Sequence, residues 1–150
     1  MNINEIYMEK ALENAKIAYK KDEVPVGAII VKDQEIIASA YNLKQTYNDC
    51  TAHAEILAIR EACQKINGPY LYDCEMYVTL EPCMMCTGAI INSRLKKIVF
   101  GAYDQRFISF ETILLQLNSK SINHIPIFYG GVLEEKCSNL IKDYFKNKRN

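Results

Sequence analysis

The chain has no excess charge of either sign: 18 Lys and Arg balance 18 Asp and Glu. A broad field that would draw in nucleic acid is therefore excluded, and any such contact must come from local patches. Long apolar runs are also missing. The longest, such as Val26–Val31, are strand-sized, far short of the ~18 residues that suggest a membrane span. Met1–Glu5 lacks a basic start leading into an unbroken apolar stretch, so no secretory leader is expected. No repeat, low-complexity segment or linker breaks the chain, which reads as one domain over residues 1–150. Histidine is scarce, with only His53 and His124.

Six cysteines are present. In a small secreted chain they could form a disulfide framework. Without a leader, and with two of them in C-x-x-C, reduced thiols and a cytoplasmic location are expected. Cys50, Cys63, Cys74 and Cys137 are expected to be unpaired. The composition, 49% apolar and 24% charged, is ordinary for a globular domain long enough to bury a core.

Met8, Leu12, Ala15 and Tyr19 recur at helical spacing, and Asp22–Pro25 breaks the pattern. Val26–Val31 and Ile36–Tyr41 read as strands joined by a turn at Lys32–Glu35, a hairpin. Asn42–Asp49 is polar and loop-like. Ala54, Leu57, Ala58 and Ala62 then share a helical face, with Asp49 or Thr51 as the expected cap. Asn67-Gly68-Pro69 ends that region. Met76–Leu80 and Lys97–Gly101 read as strands on either side of a helix that Pro82 is placed to start. Ser109–Leu117 reads as helix, Ile125–Tyr129 as strand and Glu134–Phe145 as a closing helix. Strands alternating with helices after one hairpin argue for an α/β sandwich with a mixed sheet.

The chemistry concentrates in His53-Ala54-Glu55 and Pro82-Cys83-Met84-Met85-Cys86. Two thiols three residues apart share one face of a helix's first turn, where free N–H groups and the dipole favour thiolate. His53, near the start of the other helix, can supply a third ligand. One imidazole and two thiolates leave a zinc ion with an open position for water, whose pKa can fall to about 7. Hydroxide then becomes available for attack at neutral pH. Glu55, two residues from His53, points toward a neighbouring part of the cavity. There it can take a proton from the zinc-bound water, pass it to a ring nitrogen and protonate departing ammonia. Two plainer readings stay open. C-x-x-C can be a redox pair, or half of a structural zinc site whose fourth ligand is His124 or another cysteine.

H-x-E…P-C-x-x-C is the known signature of zinc-dependent base deaminases, so its presence here is a match to a motif. With Glu23–Ala28, Thr51–Glu55, Tyr77–Cys86, Ser93-Arg94, Val99–Ala102 and Gly131–Leu133, the chain resembles the cytidine deaminase-like superfamily. Within it, the chain is similar to the bacterial tRNA adenosine deaminases (the TadA group) over nearly its whole length. The resemblance implies a three-layer α/β/α sandwich around a mixed five-stranded sheet. It implies hydrolytic conversion of the wobble adenosine of a tRNA anticodon to inosine, with one Zn2+ per subunit of a homodimer that binds the anticodon loop. The implied zinc ligands are His53, Cys83 and Cys86, with Glu55 as proton shuttle.

Asn42, Val26 and Ala54 then fall at the base pocket, and Asp104 beside the preceding nucleotide. Tyr144 and Phe145 match an aromatic pair near the RNA, with Phe145 expected as the core anchor of its helix. Arg94, Lys96 and Lys97, and Lys142, Lys146, Lys148 and Arg149, are candidate phosphate contacts. The chain departs from the group at Gln105–Thr112, where bulky Phe107, Ile108 and Phe110 replace small residues. That stretch is expected either to extend a helix or to contact something different. Two further readings are a free nucleobase or nucleoside deaminase acting on cytosine or guanine, and a non-catalytic RNA-binding protein.

Overall fold

The computed structural model describes residues 1–117 and 124–148. Its elements run α1 (Ile3–Lys20), β1 (Gly27–Lys32), β2 (Glu35–Tyr41), α2 (Ala54–Ile66), β3 (Cys74–Leu80), α3 (Met84–Ser93), β4 (Lys97–Ala102), α4 (Phe110–Leu117), β5 (Ile127–Tyr129) and α5 (Glu134–Lys148). The sheet order is β2-β1-β3-β4-β5. β1 is antiparallel to β2 and β3, whereas β4 is parallel to β3 and β5, so the sheet is mixed as expected. Among the described residues no helix is long and apolar enough to cross a membrane.

The central strands are apolar on both faces, and side chains alternate between two cores. Ala28, Ile30, Met76, Val78, Ile98 and Phe100 point to one side, against Ala54, Ala58 and Ala62 of α2, Ile90 of α3 and Phe110 and Leu114 of α4. Ile29, Val31, Tyr77 and Val99 point to the other, against Met8, Ala11 and Leu12 of α1 and Cys137 of α5. Three layers result.

Local chemistry sets the element ends. Asn2 caps α1, its Oδ1 accepting from Glu5 N at 2.9 Å. Lys32 and Glu35 face each other across the hairpin, and Asp33 and Gln34 between them both have positive φ. That is the two-residue turn whose twist matches a hairpin, made here without glycine. The expected helix start at Pro82 is corrected: Cys83 is the N-cap and α3 begins at Met84. Pro82 thus stiffens the residue before the cap. Neither Asp49 nor Thr51 caps α2, whose N-cap is His53. Asp49 instead accepts from Thr51 N at 2.8 Å and Thr51 Oγ1 at 2.7 Å, tightening the turn before the helix.

α1 lies directly on β1. A Cβ at Gly27 would overlap the Ala11 carbonyl oxygen and the Ala15 backbone nitrogen. Gly27→Ala should therefore destabilise by about 1–3 kcal/mol or more, because backbone cannot move aside as a side chain can. Calorimetry should show a thermal midpoint lower by several degrees; an unchanged midpoint would contradict this packing.

Candidate active site

β3 and β4 run parallel, so both chain exits lie at one edge of the sheet. Glu81, Pro82 and Cys83 follow β3 there, and the N-terminus of α2 arrives at the same edge. His53 and Cys83 are the two N-caps, and neither side chain makes a capping hydrogen bond. The side chains that would ordinarily satisfy helix N–H groups are turned toward each other instead. Cys86, one turn into α3, completes the group.

His53 Nδ1 lies 3.7 Å from Cys83 Sγ and 3.5 Å from Cys86 Sγ. Zinc–sulfur and zinc–nitrogen bonds of ~2.3 and ~2.05 Å at a tetrahedral angle require an edge of about 3.6 Å. Both nitrogen–sulfur distances therefore already match what a zinc ion needs, and the three donor atoms lie within 4.8 Å of one another. Among the described residues the metal-capable group is His53, Cys83 and Cys86, and the Glu55 carboxylate does not join it. His124 is engaged elsewhere, with Nε2 2.6 Å from the Leu95 carbonyl. Cys50 is exposed and Cys74 and Cys137 are buried in other parts of the molecule. The arrangement gives three protein ligands, which leaves a tetrahedral ion one position open.

A hydrogen bond from Cys86 and the contact with His53 hold the Cys83 thiol well below its ordinary range, toward the thiolate a metal takes, whereas the hydrogen bond to Cys83 and burial push Cys86 up. His53 is raised by the same contact with Cys83. Glu55 is buried, and loss of solvation pushes its carboxyl up to about 7. A carboxyl poised near neutrality can both accept and return a proton.

Asn42 does what the N-cap side chain does not. Its Oδ1 accepts from Ala54 N at 2.8 Å, so it caps α2 from a neighbouring loop. Ala54 is fully buried and Val26 nearly so, and the Val26 carbonyl receives Asn42 N at 3.1 Å. Asn42, Val26 and Ala54 are thus brought together beside His53 and Glu55.

Sequence reasoning missed the buried acids that hold the two loops. Glu23, 1% exposed, accepts from Gln45 N at 3.0 Å and from Thr46 N and Oγ1 at 2.6 Å, fixing the segment after Asn42. Burial opposes its ionisation, but these bonds win and its pKa is lowered. Glu81 accepts from Asp104 N and Phe110 N, each at 2.9 Å, and so ties the approach to Cys83 to the loop before α4. Within the sequence Glu81 is a lone acid among uncharged residues, whereas Glu23 closes the charged run Lys20-Lys21-Asp22 and carries no such cue.

Other expected residues are placed less uniformly. Asp104 lies beside the site, but Arg106 holds its carboxylate. Arg94 is the C-cap of α3, and Lys96 and Lys97 lie at the start of β4. The structure does not bring them to the metal group, since a strand of this length spans roughly 20 Å. Lys142 and Lys146 line a groove with Asp104, whereas Lys148 pairs with Asp22 at 2.6 Å. Arg149 lies outside the described residues. The expected role of Phe145 is corrected: Tyr144 is the buried anchor of α5, bonding the Asp22 carbonyl at 3.1 Å, and Phe145 lines the groove. Residues 105–109 do not extend a helix. None of residues 103–110 has positive φ, which is how bulky side chains are accommodated there.

Because the folded Glu55 carboxyl titrates near 7 and an unfolded one near 4.3, its ionisation between those values costs stability. That stability is intact below pH 4 and lost by pH 8. After zinc is chelated, Glu55→Gln should therefore melt above the wild type at pH 8 and level with it at pH 4. Equal melting at both pH values would show that the carboxyl is not desolvated.

The family model for MafB19-like deaminases matches residues 2–149. The tRNA-specific adenosine deaminase of Aquifex aeolicus is 46% identical over 97% of this chain and 96% of that relative. The protein of the same name from Bacillus subtilis is 43% identical over 99% and 92%. A solved structure from work on A-to-I editing by tRNA deaminases at the wobble position is 38% identical. It superposes with a TM-score of 0.84 over 90% of this chain and 98% of that one. The fold, the length matched and these identities agree: the chain belongs to the MafB19-like deaminase family, in the group of the tRNA-specific adenosine deaminases.

Proposed function

We propose that this chain hydrolytically deaminates the wobble adenosine of a tRNA anticodon to inosine. The observation that carries the reading is the His53, Cys83 and Cys86 donor set at tetrahedral spacing, with buried Glu55 outside it. The 46% identity to a tRNA-specific adenosine deaminase supports the choice of substrate. One zinc ion per subunit, when bound, supplies an acidified water as nucleophile.

The remaining work falls to the chain's own residues. Glu55 would take one proton of that water to the base nitrogen beside the amino-bearing carbon as the remaining hydroxide oxygen bonds to that carbon, and would then carry the new hydroxyl's proton to the amino group. The carbon–nitrogen bond breaks, ammonia leaves and a carbonyl remains. Asn42 spends its Oδ1 on Ala54 N, so its Nδ2 is the donor turned to the base. Buried Val26 and Ala54 give the pocket an apolar wall.

The target base must leave its stack to reach such a site, which an anticodon loop permits at low cost. The chain is read as cytoplasmic and homodimeric. Met84 and Met85 on α3 and Leu115 on α4 are exposed apolar residues that a second copy would cover. A protein solved in complex with 8-azaguanine shares 25% identity and a TM-score of 0.82 over 98% of this chain and 85% of that one, which keeps free-base deamination as the competing reading.

Zinc-loaded protein should form inosine in an anticodon stem-loop bearing adenosine at the wobble position. Turnover of free guanine or cytosine with no inosine in the stem-loop would overturn the reading. Asn42→Asp keeps the capping oxygen and loses the amide donor; it should fold normally but lose catalytic efficiency. Asn42→Ala should lose activity and also about 1 kcal/mol of stability. Equal activity of both variants and the wild type would remove Asn42 from the site.

A further inference from the structure

The last turn of α1 closes as a Schellman cap. Asp22, at φ 61°, donates its N–H to the Tyr19 carbonyl, and Glu23 N donates to the Ala18 carbonyl, each at 3.0 Å. Asp22 is also held by α5. Its carbonyl accepts from Tyr144 Oη at 3.1 Å and its carboxylate from Lys148 Nζ at 2.6 Å. The residue after such a left-handed position often carries an apolar side chain that packs back on the helix. Here it carries the buried carboxylate of Glu23, on a backbone fixed from two sides.

That carboxylate serves one segment. Oε1 accepts from Gln45 N at 3.0 Å, and Oε2 accepts from Thr46 N and Thr46 Oγ1, each at 2.6 Å. Among the described residues, the other hydrogen bonds of residues 43–49 stay within their own loop. Leu43 N donates to the Ala52 carbonyl, Tyr47 N to Leu43, Asn48 N to Gln45 and Asp49 N to Lys44. Asp49 in turn accepts from Ala52 N and from Thr51. The loop is a closed body, and Glu23 tethers it to the end of α1.

This body begins beside Asn42 and ends beside His53. The bond from Leu43 N to Ala52, at 3.0 Å, joins its two ends, so a shift at Gln45 or Thr46 is felt at both. Asn42 itself is held by Val26 through its N–H and by Ala54 through its Oδ1. The direction of its Nδ2 then follows the tilt of the loop. Small misplacements of such a group cost rate.

We propose that Glu23 is a positioning residue for the reaction: from the fixed end of α1 it holds Gln45 and Thr46, and through them aims the Asn42 amide at the base. It touches neither the base nor the metal group. This rests on the proposed function, in which Asn42 contacts the base.

The test compares zinc-loaded variants with the wild type in three readouts. These are single-turnover inosine formation in an anticodon stem-loop, Kd for that stem-loop, and hydrogen exchange of the Ala54 N–H that donates to Asn42. Glu23→Gln keeps the size and loses the charge. It should slow the reaction about 10-fold, the worth of one charge-assisted bond, and speed Ala54 exchange by a similar factor. Zinc content and Kd should hold. Thr46→Val removes one bond at an exposed position and should slow the reaction about 5-fold, with Thr46→Ser restoring the wild-type rate. That pair decides if Glu23→Gln does not fold. Added to Asn42→Asp, Glu23→Gln should cost under about twofold more, because the amide it aims is already gone.

Unchanged rate and Ala54 exchange in Glu23→Gln and Thr46→Val overturn the proposal. So does a rate loss matched by lost zinc or weaker stem-loop binding, or a fully additive loss in the double variant. Inosine formation indifferent to Glu23 sinks this inference alone. No inosine from the wild type sinks the reaction assignment, and Ala54 exchange then decides by itself whether Glu23 holds Asn42.

Discussion

Two helix N-termini meet at one edge of the sheet, and neither is capped by its own first side chain. This constraint organises the rest of the site. A helix start presents N–H groups and a partial positive charge, which ordinarily attract the N-cap oxygen. Here the N-caps are His53 and Cys83, whose side chains turn to each other and to Cys86. The parallel β3–β4 pair brings α3 to that edge, and the hairpin β1–β2 delivers the chain to α2 beside it. The neglected capping of α2 is made good by Asn42 from an adjacent loop. One residue therefore couples the shape of the pocket to the aim of the histidine.

The loops around the metal group are held by a shared device. Glu23 and Glu81 are buried carboxylates that accept backbone N–H groups from segments distant in sequence. Each replaces several weak loop contacts by charge-assisted bonds in a dry setting, which are among the stronger hydrogen bonds a chain can make. A catalytic cavity built on loops needs such ties, because small displacements of the reacting groups cost rate. Asp104 repeats the logic at the surface, with Arg106 as its partner.

Much of this was legible in the residues themselves. Apolar runs such as Val26–Val31 and Met76–Leu80 announce strands buried on both faces, and the order of strands and helices announces a mixed sheet between two helical layers. His53, Glu55, Cys83 and Cys86 announce the metal chemistry because few other combinations use those donors at that spacing. What stayed hidden depends on contacts between distant segments. Asp49 and Asn42 are equally good capping residues by type, and only the path of the loop decides that Asn42 reaches Ala54. Tyr144 and Phe145 are adjacent aromatics on one helix, and a rotation of about 100° per residue decides which one is buried. Pro82 is suited to the first helical turn and sits before the cap instead, since Cys83 must face the metal group. Arg106 reads as an ordinary surface cation until its bond to Asp104 is seen.

The central claim is that three protein side chains hold a zinc ion and leave a fourth position to solvent. X-ray absorption at the zinc edge of the purified protein tests it most directly. The account predicts two sulfur scatterers at about 2.3 Å and two lighter ones at about 2.0–2.1 Å, one an imidazole and one an exchangeable oxygen. A shell of three sulfurs, or of four protein ligands with no exchangeable oxygen, would contradict it.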